Sequence, residues 1–242
     1  CCGTDPEYIR AIAEEIGDLP PVPWKEALPA VLTSVSDEVY IGRQLRVIGE
    51  RINPTGKPKL KEALKTGDFY EVLDMDLEQR DCGAHILDVN VGLPELDEAS
   101  VMRQAIEMIS VQAKLPICID SSRMEVIENS LRICPGRALV NSVSTKAEHL
   151  ARLLPIVKKY HAMFILLPIG DAGIPKTAKE RIAEIETAYE TIKAEGLDKQ
   201  DMLVDGLVMT VSSDPRAAIE TLKVVRWCTE HGFNTVLGIS NG

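Results

Sequence analysis

Positive charge is what this sequence most lacks. Its 242 residues carry 27 Lys plus Arg against 37 Asp plus Glu, for a net charge of −10 and a pI near 5.0. A general nucleic-acid binder needs the opposite balance, because cationic side chains must face phosphates. Long apolar runs are missing as well. The longest, 162–170, contains a proline and falls well short of the ~20 residues that span a bilayer. Residues 1–17 read as amphipathic, with acids where a signal peptide would carry its basic and apolar regions. Six cysteines are too sparse for a disulfide framework. Cys82, Cys118, Cys134 and Cys228 lie singly among apolar neighbours, where a buried, inert thiol is the expected state. The adjacent pair Cys1-Cys2 is the exception: two thiolates suit a soft metal such as zinc, yet two do not complete a site. These absences point to a cytoplasmic protein with no nucleic-acid and no membrane partner.

What is present is a recurring unit. With 45% apolar and 26% charged residues, the chain has the composition of a globular domain. Short runs rich in Val, Ile and Leu at 46–53, 85–92, 116–122, 137–144, 162–170, 202–209 and 235–241 alternate with amphipathic stretches. That pattern predicts βα units and a parallel sheet. The helical stretches are 59–82, 99–114, 122–134, 146–160, 177–196 and 215–232, the first broken near Gly67 and Asp68. Ser121, Ser122 and Thr145 are candidate N-caps, Gly196 and Gly232 candidate C-terminal stops, and Pro215 suits a first turn. The first strand lacks the glycine-rich turn of a dinucleotide-binding fold. The expectation is therefore a TIM (β/α)8-type barrel truncated after its seventh strand. Residues 1–45 stand apart as an N-terminal segment with a Pro-rich linker at Leu19-Pro20-Pro21-Val22-Pro23, leaving 46–242 as the barrel.

In such a barrel the active site gathers at the strand C-termini. Those ends carry Glu50 and Asn53, Asp88 and Asn90, Asp120, Asn141, Asp205, and Ser240 with Asn241. Hydrolysis by a Ser–His–Asp triad lacks its histidine there, since His85, His149, His161 and His231 fall at strand starts or on helices. No inward lysine offers Schiff-base chemistry, and no glycine-rich late turn offers a phosphate cradle. Any single Asp or Asn after a strand is an ordinary cap or turn former. Agreement among so many tips points instead to a reader of flat heterocycles such as a pterin, because carboxylates accept paired N–H bonds and amides serve either partner. Asp88 and Asn90 share parity and face one way. Glu50 has a second reading, as an ion-pair partner of Arg51 or Arg46. Lys57, Lys59, Lys61 and Lys65 suit a solvated helix face.

Val47-Ile48-Gly49-Glu50-Arg51-Ile52-Asn53-Pro54-Thr55-Gly56, Leu87-Asp88-Val89-Asn90-Val91-Gly92, Ile119-Asp120-Ser121, Val140-Asn141-Ser142 and Leu237-Gly238-Ile239-Ser240-Asn241 together resemble the pterin-binding methyltransferase family. That family includes the folate module of cobalamin-dependent methionine synthase and the methyltetrahydrofolate:corrinoid methyltransferases. The resemblance runs in order from about residue 46 to the end. It implies binding of methyltetrahydrofolate and transfer of its N5-methyl group to cob(I)alamin or another corrinoid on a separate module or protein. Asp120, Asn141 and Asp205 would then hold the pterin edge with Asp88, Asn90, Glu50, Asn53 and Ser240 nearby, and Asn241 would meet N5. Cys1-Cys2-Gly3-Thr4-Asp5-Pro6 looks like the end of a preceding homocysteine-binding domain, in which Cys1 and Cys2 would be zinc ligands only within a longer parent. A homodimer is an assembly this reading allows. Three alternatives stand beside it: a non-catalytic pterin-binding module, one serving a corrinoid iron–sulfur protein, and a barrel enzyme for another heterocycle. Gly206 departs from the family pattern, with a looser loop after the sixth strand as the expected result.

Overall fold

A computed structural model describes residues 3–20, 29–112, 114–209 and 216–239. Helix α1 (Pro6–Ile16) comes first, started by Asp5, whose carboxylate accepts from the Tyr8 N–H at 2.9 Å. A two-stranded antiparallel hairpin follows, β1 (Val31–Thr33) and β2 (Glu38–Tyr40). From there the chain alternates strand and helix: β3 (Ile48–Ile52), α2 (Pro58–Thr66), α3 (Tyr70–Asp81), β4 (Ile86–Val89), α4 (Glu98–Gln112), β5 (Ile117–Asp120) and α5 (Met124–Ile133). The same rhythm continues through β6 (Leu139–Ser144), α6 (Ala147–Tyr160), β7 (Met163–Leu167), α7 (Ala178–Ala194), β8 (Met202–Asp205), α8 (Ala217–Glu230) and β9 (Asn234–Val236).

Strands β3 to β9 form one parallel sheet in sequential order. A doubly wound sheet reverses its order midway, and this one does not. The truncated TIM-type barrel expected from the alternation is the architecture observed. The central strands β4, β5, β7 and β8 are buried almost throughout, which is why their sequences read as continuous apolar runs. On the outer face Leu87, Val89, Ile117, Ile119, Val140, Phe164, Leu166 and Val204 pack against the helices. On the inner face Ile86, Cys118, Leu139, Met163, Ile165 and Leu203 form a second, smaller core.

The hairpin seals that inner core from below. Composition grouped residues 30–41 with the N-terminal segment, but Ala30, Leu32 and Val39 are buried among the inner-face side chains. Burying one leucine such as Leu32 is worth about 2 kcal/mol. Arg137, itself buried, ties the hairpin down: its guanidinium donates to the Pro29 carbonyl at 2.7 Å, the His161 carbonyl at 2.8 Å and Asp201 at 2.6 Å.

The first helical stretch does break where expected, with Gly67 at φ 71° closing α2. The N-cap readings need correction. Helices α5 and α6 start at Arg123 and Lys146 without side-chain caps. The Ser121 hydroxyl donates to Glu98 and accepts from the N–H of Arg123 rather than from within the first turn of α5, and the Thr145 hydroxyl donates to Glu184. Pro215 lies outside the described residues.

Candidate functional site

Strand parity builds the site. Residues two positions beyond the inner-face apolar side chains also face inward, so Asp88 follows Ile86, Asp120 follows Cys118, Asn141 follows Leu139 and Asp205 follows Leu203. The register sets Asp88 beside Cys118 and Asp120 beside Asn141. Polar tips thus crown an apolar floor.

Two crossed hydrogen bonds join four of these tips. Asn141 Nδ2 donates to Asp88 Oδ1 at 3.1 Å, and Asn90 Nδ2 donates to Asp120 Oδ2 at 3.0 Å. The Asn90 carbonyl oxygen accepts from the Gly92 N–H at 2.9 Å, which fixes the amide's orientation. Burial pushes the Asp88 carboxyl up to about 6, reinforced by the negative charges of Asp120 and Glu50 and opposed by hydrogen bonds from the Cys118 thiol and Asn141. Asp120 is also raised, by burial first and by Glu98, with Asn90 pulling the other way. Burial and the two aspartates push the Cys118 thiol well up. Both carboxyls therefore hold a proton more readily than an exposed aspartate does.

The rim is assembled separately. Glu50 is exposed but close enough to act on Asp88. Its ion-pair reading is not realised: Arg51 pairs with Glu78 at 3.2 Å, and Arg46 donates to the Tyr40 carbonyl. Asn53 turns its carbonyl oxygen back to the Thr55 N–H at 2.9 Å, shaping the loop after β3. Asp205 accepts from the Leu207 N–H at 2.7 Å and is raised by burial, against the pull of that bond and of Arg181. Residues 206 and 207 are held firmly, which corrects the expectation of a loose turn. Buried Arg181 donates to the Gly206 and Leu207 carbonyls at 2.9 and 3.0 Å and to Thr221 Oγ1 at 3.2 Å. A Cβ on Gly206 would lie 2.7 Å from Leu237 Cδ2 and 3.2 Å from Thr221 Cγ2, so glycine is the residue that fits. Ser240, Asn241, Cys1 and Cys2 lie outside the described residues. Among the described residues, no group of three or more His, Cys, Asp or Glu is arranged to hold a metal, and no helix is long and apolar enough to cross a membrane.

With an inward-facing acid and amide set on a barrel mouth established, comparison with known proteins decides the family. The model of pterin-binding enzymes matches residues 49–242. The chain belongs to the pterin-binding enzyme family. Methionine synthase of Mycobacterium tuberculosis (strain ATCC 25618 / H37Rv) is 27% identical over 255 aligned positions that cover all of this chain and 21% of that protein. The chain therefore spans about a fifth of the length of that relative. Dihydropteroate synthase of Xanthomonas albilineans with 4-aminobenzoic acid superposes with a TM-score of 0.65 at 20% identity, covering 88% of this chain and 78% of that one. The same enzyme in complex with 7,8-dihydropteroate gives 0.63 at 19% identity, with 87% and 78% covered. At that identity the likeness is one of fold.

Three parts of this pterin-binding barrel escaped the sequence. Cys118 is buried as expected, yet it is no bystander, since its thiol reaches Asp88; its shared parity with Asp120 was the available signal. Glu98 sits at the start of α4 and bonds Ser121 at 2.6 Å, and nothing in the spacing of a helix start marks it. His149 is a correction to the placing of all four histidines away from the mouth. It stands in the first turn of α6, with Nδ1 2.6 Å from Ser144 Oγ at the tip of β6.

Proposed function

We propose that this member of the family binds methyltetrahydrofolate at the mouth and gives up its N5-methyl group to a corrinoid carried on another module or protein. The observation that carries this reading is the crossed Asp88–Asn141 and Asn90–Asp120 set, standing on strand tips whose sequences resemble methyl-transferring family members. The name of the 27% identical relative, methionine synthase, supports it.

The ring N–H and exocyclic amine of a pterin form a flat donor edge, which a carboxylate meets with two parallel bonds. Asp120, Asn141 and Asp205 take that edge, with Asp88 and Asn90 bracing them. Leaving a tertiary amine requires positive character on N5, so a proton must be held there as the carbon–nitrogen bond breaks. Asp88, pushed up to about 6 by burial, keeps a protonated fraction available just below neutral pH. By its sequence position Asn241 meets N5, donating to the neutral nitrogen or accepting from N5–H after rotation of its amide. The corrinoid, when bound, supplies the nucleophilic cobalt that accepts the methyl group.

The test mixes the chain with methyltetrahydrofolate and cob(I)alamin and follows loss of the cob(I)alamin absorbance with formation of tetrahydrofolate. Asn241→Ala is expected to slow transfer by about 100-fold or more while methyltetrahydrofolate still binds. Wild-type turnover in that variant removes Asn241 from the mechanism. Binding without transfer by the unaltered chain favours a non-catalytic module.

A further inference from the structure

Glu98 opens α4 and reaches the site through two contacts. Its Oε1 accepts from Ser121 Oγ at 2.6 Å, and its Oε2 lies 3.9 Å from Arg123 Nη1. Ser121 directly follows Asp120 and is buried. Its hydroxyl also accepts from the Arg123 N–H at 3.1 Å, and its own N–H donates to the Asn141 carbonyl at 3.3 Å. Both ends of that hydroxyl are thereby committed, and the Glu98 side chain is held only 14% exposed, while Arg123 is 49% exposed. A half-exposed guanidinium at 3.9 Å neutralises little of the charge on a largely buried carboxylate.

We propose that Glu98 is a positioning residue for the pterin-binding site: gripped by Ser121, it fixes the turn that carries Asp120 and keeps Asp120 a strong acceptor for ring N–H donors. This rests on the pterin reading. A like charge nearby makes a carboxylate more basic, and a more basic carboxylate accepts hydrogen bonds more strongly. The charge of Glu98 acts on Asp120 in that direction. The other groups that bear on Asp120 are Asp88 and Cys118 from the adjoining strands and the Asn90 amide, while Arg123 faces Glu98. None of these takes over the role, because none of them grips the Ser121 hydroxyl as Glu98 does, and Asn90 pulls Asp120 down.

The experiment uses the full chain in two parallel titrations. Carbon-13 NMR of the aspartate carboxyls, assigned by Asp120→Asn, reads the Asp120 midpoint without ligand. Calorimetry reads methyltetrahydrofolate affinity from pH 5 to 8. Glu98→Gln, which keeps an oxygen for Ser121 but loses the charge, is expected to lower the Asp120 midpoint by about half a pH unit or more, and to move the acid limb of binding by the same amount. Ser121→Ala, which frees Glu98 to turn to solvent, moves both in the same direction. An unchanged midpoint in Glu98→Gln overturns the proposal, as does a shifted midpoint with an unshifted binding curve. If the unaltered chain fails to bind methyltetrahydrofolate, the pterin reading falls and takes this role with it, an outcome that the wild-type control separates from a failure of Glu98 alone.

Discussion

Asn141 and Asp88 are hydrogen-bonded at 3.1 Å although their strands are not neighbours: β5 lies between β4 and β6. The bond reaches over Cys118, whose thiol meets the same carboxylate from below. A side-chain bond thus ties together at the mouth two strands that the backbone ladder joins only through β5.

Breaking that lock has a definite effect. Asn141→Ala removes one of the two hydrogen bonds that hold Asp88 down, so its titration moves above about 6. Losing a partner of a buried carboxylate costs about 1–3 kcal/mol. Urea unfolding reads the stability loss, and carboxyl NMR reads the shift.

Asp76 supplies a second expectation. It faces inward from α3, fully buried, with neither oxygen hydrogen-bonded, and burial pushes it up to about 7 despite Arg80. An acid raised in the folded state stabilises fully below its unfolded value near 4, and that contribution is lost as pH rises through 7. The stability of Asp76→Asn relative to the wild type is expected to rise between pH 5 and pH 8.5 by on the order of 2 kcal/mol. Equal stability differences at both pH values, from urea midpoints, would defeat this.

Arg181 carries the third. Its guanidinium supplies bonds to two loop carbonyls and to Thr221, and it draws Asp205 downward. Removing it orphans buried acceptors at about 1–3 kcal/mol. Arg181→Lys, which keeps the charge but not the fork of donors, is expected to weaken methyltetrahydrofolate binding through Asp205 with the fold retained. Circular dichroism and calorimetry measured together decide it.

Gly206→Ala is the fourth. The Leu237 methyl group can move aside, but Thr221 is fixed by its bonds to Arg181 and to the Leu207 carbonyl. Overpacking of this kind costs about 1–3 kcal/mol, and a lowered melting midpoint is the readout.

The central strands were legible because both their faces are buried, and their apolar runs announce themselves without an alignment. That Asp88 and Asn90 face one way followed from parity, and Asp120 and Asn141 were picked out by their place at strand ends. The hairpin was not legible: three-residue strands carry no periodicity, and the apolar triplets Ala30-Val31-Leu32 and Val39-Tyr40-Ile41 are too short to stand out beside a Pro-rich segment. Glu98 and His149 were hidden for another reason. Each belongs to a helix start, where acids and polar residues are ordinary, and only the folded turn shows which of them bends back to a strand tip.

Stoppered beneath by Leu32 and Val39, the inner face is closed at the end away from the strand tips. A pterin would therefore come to Asp88 and Asn141 from the side on which the strands end, with the hairpin as the floor beneath it.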